Sequence, residues 1–366
     1  MYDFTIIGAG INGSAIAYEL VKEGKSVLLL DKTDIASGGS GAAGAFIAPK
    51  FAKSGELKEL MHNSFLYSMA FYEQKFPSAF SKVKLLHIAT DEKTSQMLKA
   101  YKTTTTISQL EKNTELEMLA NGSESIFLEA GVVDAPKMCQ LLSKDVEFQK
   151  LEITSLKYRD ERWILNDTIE SKNVIVATGA YKQIVQEPYI KIRGIWGHRI
   201  EVETSTTNNY SLHKYLSISP SKDGVIAIGA THDLNYHPDK TKEPYDIQKG
   251  RIELLEKASK MISLKDPKVI KDYVGLRSGS VDYMPIIGGV VDSDATYDKG
   301  INLRTKRVSY DEFCYYKGLY IINGSSGYGF VFAPYLAKFL KEYILEGKKI
   351  AKNIDLARYF ARDARK

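Results

Sequence analysis

The sequence predicts an α/β protein in which one parallel-sheet domain is assembled from pieces far apart along the chain. Three observations carry this. The first 31 residues run as a buried-strand stretch, a glycine turn, an apolar-faced helix and a second strand. Further strand-then-small-residue turns occur at 173–180 and at 320–329, in the middle and near the end. The length, 366 residues, suits two structural units or one large interleaved one.

Phe4 to Ile7 is the first strand, and Gly8-Ala9-Gly10-Ile11-Asn12-Gly13 follows at once. Ser14 to Glu23 reads as a helix that Gly24 ends, and Val27 to Leu30 as the second strand. Asp31 stands at its end, with Lys32 beside it. This is the Rossmann-like β-α-β signature, G-x-G-x-x-G followed by an acid. Gly8 permits the tight turn, Gly10 lets a pyrophosphate approach the backbone, and Gly13 lets the helix lie close on the strand. The helix N-terminus offers free N–H groups to phosphate, and Asp31 offers acceptors to ribose hydroxyls. The reading is a dinucleotide site. The small residues Ser37 to Ala45, including Ser40, Gly41 and Gly44, suit a backbone passing close to a second bulky group. That favours FAD over NAD, whose domains usually place only another crossover there.

Beyond this segment, 57–74 has helical spacing, 85–90 resembles a strand and 94–102 a helix. Pro136 opens a helix over 137–142. Residues 151–159, 163–165 and 173–177 read as strands, the last ending in Ala177-Thr178-Gly179. Strands at 199–203 and 224–229 precede an amphipathic helix over 247–261. A strand at 320–322 enters Asn323-Gly324-Ser325-Ser326-Gly327-Tyr328-Gly329, and a helix over 335–343 closes the fold. The basic tail, 348–366, reads as a surface extension.

Composition narrows the class. Hydrophobic residues make up 44% and charged residues 26%, which excludes disordered, collagenous and coiled-coil chains. The net charge of +5 permits a polyanionic partner without demanding one. Cys139 and Cys314 cannot build a disulfide scaffold or a Cys-rich zinc site, and no metal is expected. No signal peptide or membrane helix is evident, so the expectation is a soluble, cytoplasmic protein.

Several separated pieces resemble the FAD-dependent D-amino-acid oxidase, glycine oxidase and sarcosine oxidase superfamily. They are the N-terminal turn, the segment 37–45, Val174-Ile175-Val176-Ala177-Thr178-Gly179, Gly275-Leu276-Arg277-Ser278, Met284-Pro285-Ile286-Ile287-Gly288 and the 323–329 turn. Within it, Gly41 to Pro49, Phe127 to Pro136 and a long insert between Gly288 and Leu319 are similar to the FAD domain of the MnmC family, bifunctional enzymes of the tRNA wobble uridine. Ser326 stands where that family's pattern has an arginine.

The resemblance implies bound FAD and a glycine oxidase-like fold. An interleaved α+β substrate domain would occupy 81–134 and 194–277, and the FAD-binding domain 1–80, 135–193 and 278–366. It implies oxidation of the C–N bond of an N-substituted glycine, the carboxymethylaminomethyl arm of wobble uridine in tRNA. A free amino-acid oxidase or dehydrogenase for glycine, sarcosine or a D-amino acid is the alternative. An RNA-binding protein with a structural flavin is a third reading. Arg277 matches the family's carboxylate-binding arginine, and Tyr328 is expected near flavin or substrate. Gly324, Ser325, Ser326 and Gly327 would meet the flavin, as would Ala177 and Gly179, while Ile153 would meet adenine. The amine must be neutral to push electrons as hydride leaves, so no dedicated base is required, which fits the absence of an evident His/Asp pair. Lys299, Arg304, Lys306 and Arg307, flanked by Tyr297 and Tyr310, with Arg358, Arg362, Arg365 and Lys366, are the candidate RNA contacts. Lys191, Arg193, His198 and Arg199 bracket the start of the substrate domain. The methyltransferase part of the bifunctional enzymes is absent from this sequence, so a separate methyltransferase partner is expected.

Overall fold

The strand Tyr2–Ile7 lies at the heart of the first sheet, flanked in parallel by Val27–Asp31 on one side and Ile169–Val176 on the other. The sheet order is Ile286–Val291, Tyr315–Asn323, Ile169–Val176, Tyr2–Ile7, Val27–Asp31, Glu147–Lys150. Only the first neighbouring pair in that order is antiparallel. Parallel neighbours need crossovers, and Ile11–Lys22 is the helix that supplies the first. A hairpin of Leu156–Arg159 and Arg162–Leu165 is joined to the sheet through Ile169–Val176.

The protein is described by a computed structural model that covers all residues except 52, 53, 182, 302, 304–307 and 366. It divides into two units, Met1–Ser40 with Cys139–Gly194 and Leu276–Lys366, and Gly41–Met138 with Ile195–Gly275. The second is built on a largely antiparallel sheet. Its order is Lys268–Ser280, Ile192–Glu203, Val225–Gly229, Ser217–Ile218, Ser211–His213, Phe80–Ile88, Ser125–Val133, Phe46–Ile47. Leu254 and Ala258 of the helix Ile247–Ser259 are buried in one core with Ile226 and Ile228 of the sheet.

The division differs from the expected boundaries chiefly at 41–80, which belong to the second unit. The cause is strand pairing: Phe46 and Ile47 pair with Val132 and Gly131 of the long strand Ser125–Val133. The expected strand over 151–159 is also interrupted. The Asn166 side chain accepts hydrogen bonds from the Thr154 and Ser155 N–H groups, at 2.8 and 3.2 Å, and holds the backbone in a loop. The closing helix starts at Gly329, earlier than expected, with Pro334 inside it. Standing sixth in the helix, past the first turn, Pro334 has no N–H to donate to the helix ladder.

The tail is not a surface extension. Ile354, Leu356, Ala357, Tyr359 and Phe360 are buried, and the helix Ala357–Asp363 joins the aromatic core of the first unit. The many charges of 348–366 concealed this apolar stripe. No helix among the described residues is long and apolar enough to cross a membrane.

Candidate functional site

The N-terminal turn is built around steric necessity. Gly8 has φ +107°, and a β-carbon there would lie 2.5 Å from the Ala177 carbonyl oxygen. At Gly13 it would lie 1.9 Å from the Gly8 carbonyl oxygen, and at Gly10 2.9 Å from Ser40 Oγ. At Gly8 and Gly13 the obstacle is backbone, so those two positions close only with glycine, while the Ser40 hydroxyl beside Gly10 can rotate. The Ile11 N–H, first of the helix, donates to Ser40 Oγ at 2.9 Å. Gly10 caps this helix with no side-chain hydrogen bond, and no acid stands in its first turn. Its N-terminus therefore keeps the field that attracts phosphate. Asp31 is anchored rather than dangling. One carboxylate oxygen accepts the Ala9 N–H at 2.9 Å, and the other accepts the Thr33 N–H at 3.0 Å.

Distant segments close a ring around this turn. Gly39 lies so near the Gly275-Leu276-Arg277 backbone that a β-carbon would sit 2.5 Å from the Leu276 carbonyl oxygen. Gly279 bridges to Ser325. Asn323 Nδ2 donates to the Gly179 carbonyl at 2.8 Å, and its Oδ1 accepts the Gly324 N–H at 2.8 Å. The Asn12 and Ser325 side chains approach to 3.4 Å. Gly39 and Asn12 were not singled out from sequence. Gly39 was hidden in a run of small residues, and Asn12 filled an unspecified position of the turn.

Arg277 and Tyr328 are both partly buried. Burial draws the Arg277 guanidinium pKa down and pushes the Tyr328 phenol up. Arg277 Cδ stands 4.0 Å from where a β-carbon of Gly327 would be. Asp272 and Asp282, the carboxylates nearest in sequence, are engaged elsewhere. Asp282 is bound bidentately by Arg358 at 2.9 and 3.1 Å and by the Tyr359 hydroxyl at 2.7 Å. Asp272 is clamped by Arg251 and accepts from His198 Nε2 at 2.9 Å. A His/Asp pair thus exists that the sequence, its members 74 positions apart, did not reveal. His198 is fully buried, and Tyr245 closes its other nitrogen at 3.4 Å.

The remaining candidates separate. Lys32 lies 4.9 Å from the Tyr181 ring centroid, within the first unit. Ile153 is buried in the loop whose Leu151 N–H donates to the Asp31 carbonyl at 2.7 Å. Ala177 and Gly179 follow the strand Ile169–Val176, while Gly324 and Ser326 both take positive φ in the C-terminal turn. Gly41 and Gly44 fall in the second unit, where a β-carbon at Gly44 would strike the Phe46 ring at 2.9 Å. Of the proposed RNA contacts, Arg304, Lys306, Arg307 and Lys366 lie outside the described residues. Lys299 Nζ donates to the Glu312 carbonyl, and Arg358 is committed to Asp282 inside the fold, which removes it as a surface cation. Arg362 and Arg365 are exposed, and the Arg362 guanidinium lies 4.8 Å from the Tyr359 ring centroid. Lys191 pairs with Asp363 at 3.5 Å. The Arg199 guanidinium is seated 3.8 Å from the Tyr273 ring centroid and bonds Glu201.

With this geometry in hand, comparison with known proteins is decisive for the family. Residues 3–343 match the profile of the FAD dependent oxidoreductase (DAO) family. The chain belongs to that family. Among curated relatives, this oxidoreductase is 24% identical over 345 residues to the tRNA 5-methylaminomethyl-2-thiouridine biosynthesis bifunctional protein MnmC of Campylobacter concisus, covering 88% of the chain and 53% of the relative. It is 23% identical to the protein of the same name from Legionella pneumophila (strain Corby), covering 97% and 56%. It thus spans about half the length of these relatives. Its fold is that of glycine oxidase from Geobacillus kaustophilus, with a TM-score of 0.77 at 20% identity, covering 98% and 97% of the two chains. L-proline dehydrogenase from P. horikoshii is similar, with a TM-score of 0.76 at 18% identity, covering 99% and 98%. FAD is the family's cofactor, and the side-chain-free cradle at Gly8, Gly10 and Gly13, the open helix N-terminus and Asp31 fit a dinucleotide.

Proposed function

We propose that this FAD-dependent oxidoreductase oxidises the C–N bond of an N-substituted glycine, the carboxymethylaminomethyl arm on the wobble uridine of tRNA. The observation that carries the reading is Arg277, partly buried beside the glycine turn, in a chain whose curated relatives bear a tRNA-modification name across most of its length. A carboxylate leaving water needs a paired cation, and the planar guanidinium fixes its orientation through two parallel bonds. FAD, when bound, supplies the two-electron acceptor for hydride from the carbon beside that carboxylate. The substrate nitrogen contributes its lone pair to the new C=N bond, and water then releases glyoxylate and the amine. Gly8, Gly10, Gly13, Ser40 and the Ile11 N–H are assigned to pyrophosphate, Asp31 to ribose, and the amides of Gly324 to Gly327 to the flavin ring. Methyl transfer is assigned to a separate methyltransferase, and with tRNA as substrate the reaction is assigned to the cytoplasm.

A second reading, a free amino-acid oxidase, is favoured by the near-complete structural overlap with glycine oxidase. Anaerobic flavin bleaching separates the two. Bleaching by tRNA bearing the arm, with free glycine and sarcosine inert, supports the first. Rapid bleaching by the free amines alone supports the second.

A further inference from the structure

The turn after Arg277 holds a feature that binding of a small amine does not explain. Tyr283 is 67% exposed and adopts φ 65°, the left-handed region that a bulky side chain occupies only at a cost in free energy. The turn is nevertheless held by a dense set of bonds to Asp282. Asp282 Oδ1 accepts hydrogen bonds from the Met284 N–H at 3.2 Å, the Ser280 hydroxyl at 3.3 Å and the Tyr359 hydroxyl at 2.7 Å, while Arg358 grips the same carboxylate. An aromatic ring is thus held out into solvent against its own backbone preference. Arg193 stands beside it, its guanidinium carbon 5.8 Å from the ring centroid and its Nη2 donating to the Ser280 carbonyl at 3.1 Å.

We propose that Tyr283 is a nucleobase-stacking platform for the RNA substrate, with Arg193 as its flanking cation, an inference that rests on the tRNA reading above. Unpaired bases are recognised by stacking on aromatic rings and guanidinium planes. The arginine suits a polyanion better than an apolar protein surface. Tyr283 follows Arg277 by six residues, so their Cα atoms are at most about 22 Å apart. A few nucleotides of a single-stranded loop span that distance while the modified base reaches Arg277.

The test uses FAD-loaded protein and an anticodon stem-loop RNA carrying carboxymethylaminomethyluridine at the wobble position. Tyr283→Ala is expected to weaken binding about tenfold, equivalent to about 1.4 kcal/mol, and to leave the flavin reduction rate at saturating RNA unchanged. Tyr283→Phe keeps affinity within about threefold. Arg193→Ala weakens binding and reduces the salt slope by about one ion. Tyr283→Gly removes the backbone strain, so it should lose as much affinity as Tyr283→Ala with a Tm at or above wild type. Affinity losses that track a fall in Tm would make Tyr283 structural and overturn the inference. If wild type binds and is reduced by the RNA while Tyr283→Ala stays within twofold, the stacking role alone is overturned. If wild type neither binds the RNA nor is reduced by it, the tRNA reading falls, and this inference with it.

Discussion

At Gly8–Gly13 the chain passes from strand to helix with Gly8 and Gly13 pressed against backbone carbonyls. At Asn323–Gly329 it makes the same change of direction with its shape held mainly by side chains, Asn323 bonding Gly179 and Gly324 while Asn12 meets Ser325. The difference is one of tolerance. At Gly8 and Gly13 an added methyl has nowhere to go, because a backbone oxygen cannot rotate away. In the second turn only Gly324, at φ +75°, is held to glycine by its backbone, and Gly327 meets nothing closer than 4.0 Å. The first turn therefore fits one backbone path, while the second leaves room for a side chain at Gly327.

This comparison makes Gly13→Ala the most damaging change. A β-carbon 1.9 Å from the Gly8 carbonyl forces helix and strand apart, with an expected loss of more than about 4 kcal/mol. The purified variant should lack the flavin absorbance band, and a yellow, stable Gly13→Ala protein would break the contrast between the turns. Acid should act on neither turn first but on the second unit. His87 and His213 lie on adjacent strands against Phe51 and Phe46, and burial pulls their pKa values down to about 4 and about 3. Both are depressed below the unfolded value of 6.5, so the stability they permit is full above pH 6.5 and is lost progressively as pH falls through the folded values. The loss for His87 reaches about 3 kcal/mol near pH 4. Thermal unfolding from pH 7.5 to 4.5 should show this slope, and His87→Phe should flatten it.

Smaller effects sharpen the comparison. Arg277→Ala should slow flavin reduction at least about tenfold, losing a charge-assisted pair of about 1.5–3 kcal/mol. FAD content should stay near wild type, and Arg277→Lys should recover only part of the rate. Full-rate reduction in the alanine variant would remove Arg277 from the chemistry. Asn323→Ala should cost about 1–2 kcal/mol by orphaning the buried Gly324 N–H and Gly179 carbonyl, read as roughly tenfold weaker FAD retention. Gly327→Ala is the least disruptive, with Tm and FAD content expected within experimental error of wild type. A large loss of either there would mean that this turn is as constrained as the first.

Much of the first unit was legible because its chemistry is local. Gly8, Gly10, Gly13 and Asp31 fall within one β-α-β stretch, and the spacing alone carries the geometry. Gly39 was less visible, since its need arises from Leu276, more than two hundred residues away. The tail was misread for a related reason. Tyr359 and Phe360 sit among lysines and arginines, and only the tertiary fold reveals that Arg358 turns inward to Asp282. The His198–Asp272 pair and the His87–His213 pair likewise join residues that only strand register brings together. At 41–80 the two-residue pairing of Phe46–Ile47 decided the unit, a signal too short for periodicity to register.

The order of the first sheet has a consequence for the chain as it is made. Tyr2–Ile7 is made well before Ile169–Val176, its neighbour on one side, which pairs in turn with Tyr315–Asn323, made later still. At about 5–20 residues per second, roughly 15–60 s separate synthesis of the Gly8–Gly13 turn from that of Asn323–Gly329. During that interval all residues of the second unit, Gly41–Met138 and Ile195–Gly275, are synthesised, while the first still lacks the strand Tyr315–Asn323. The nascent polypeptide thus carries Tyr2–Ile7 with one edge open until Ile169–Val176 has been made, and that strand in turn waits for Tyr315–Asn323.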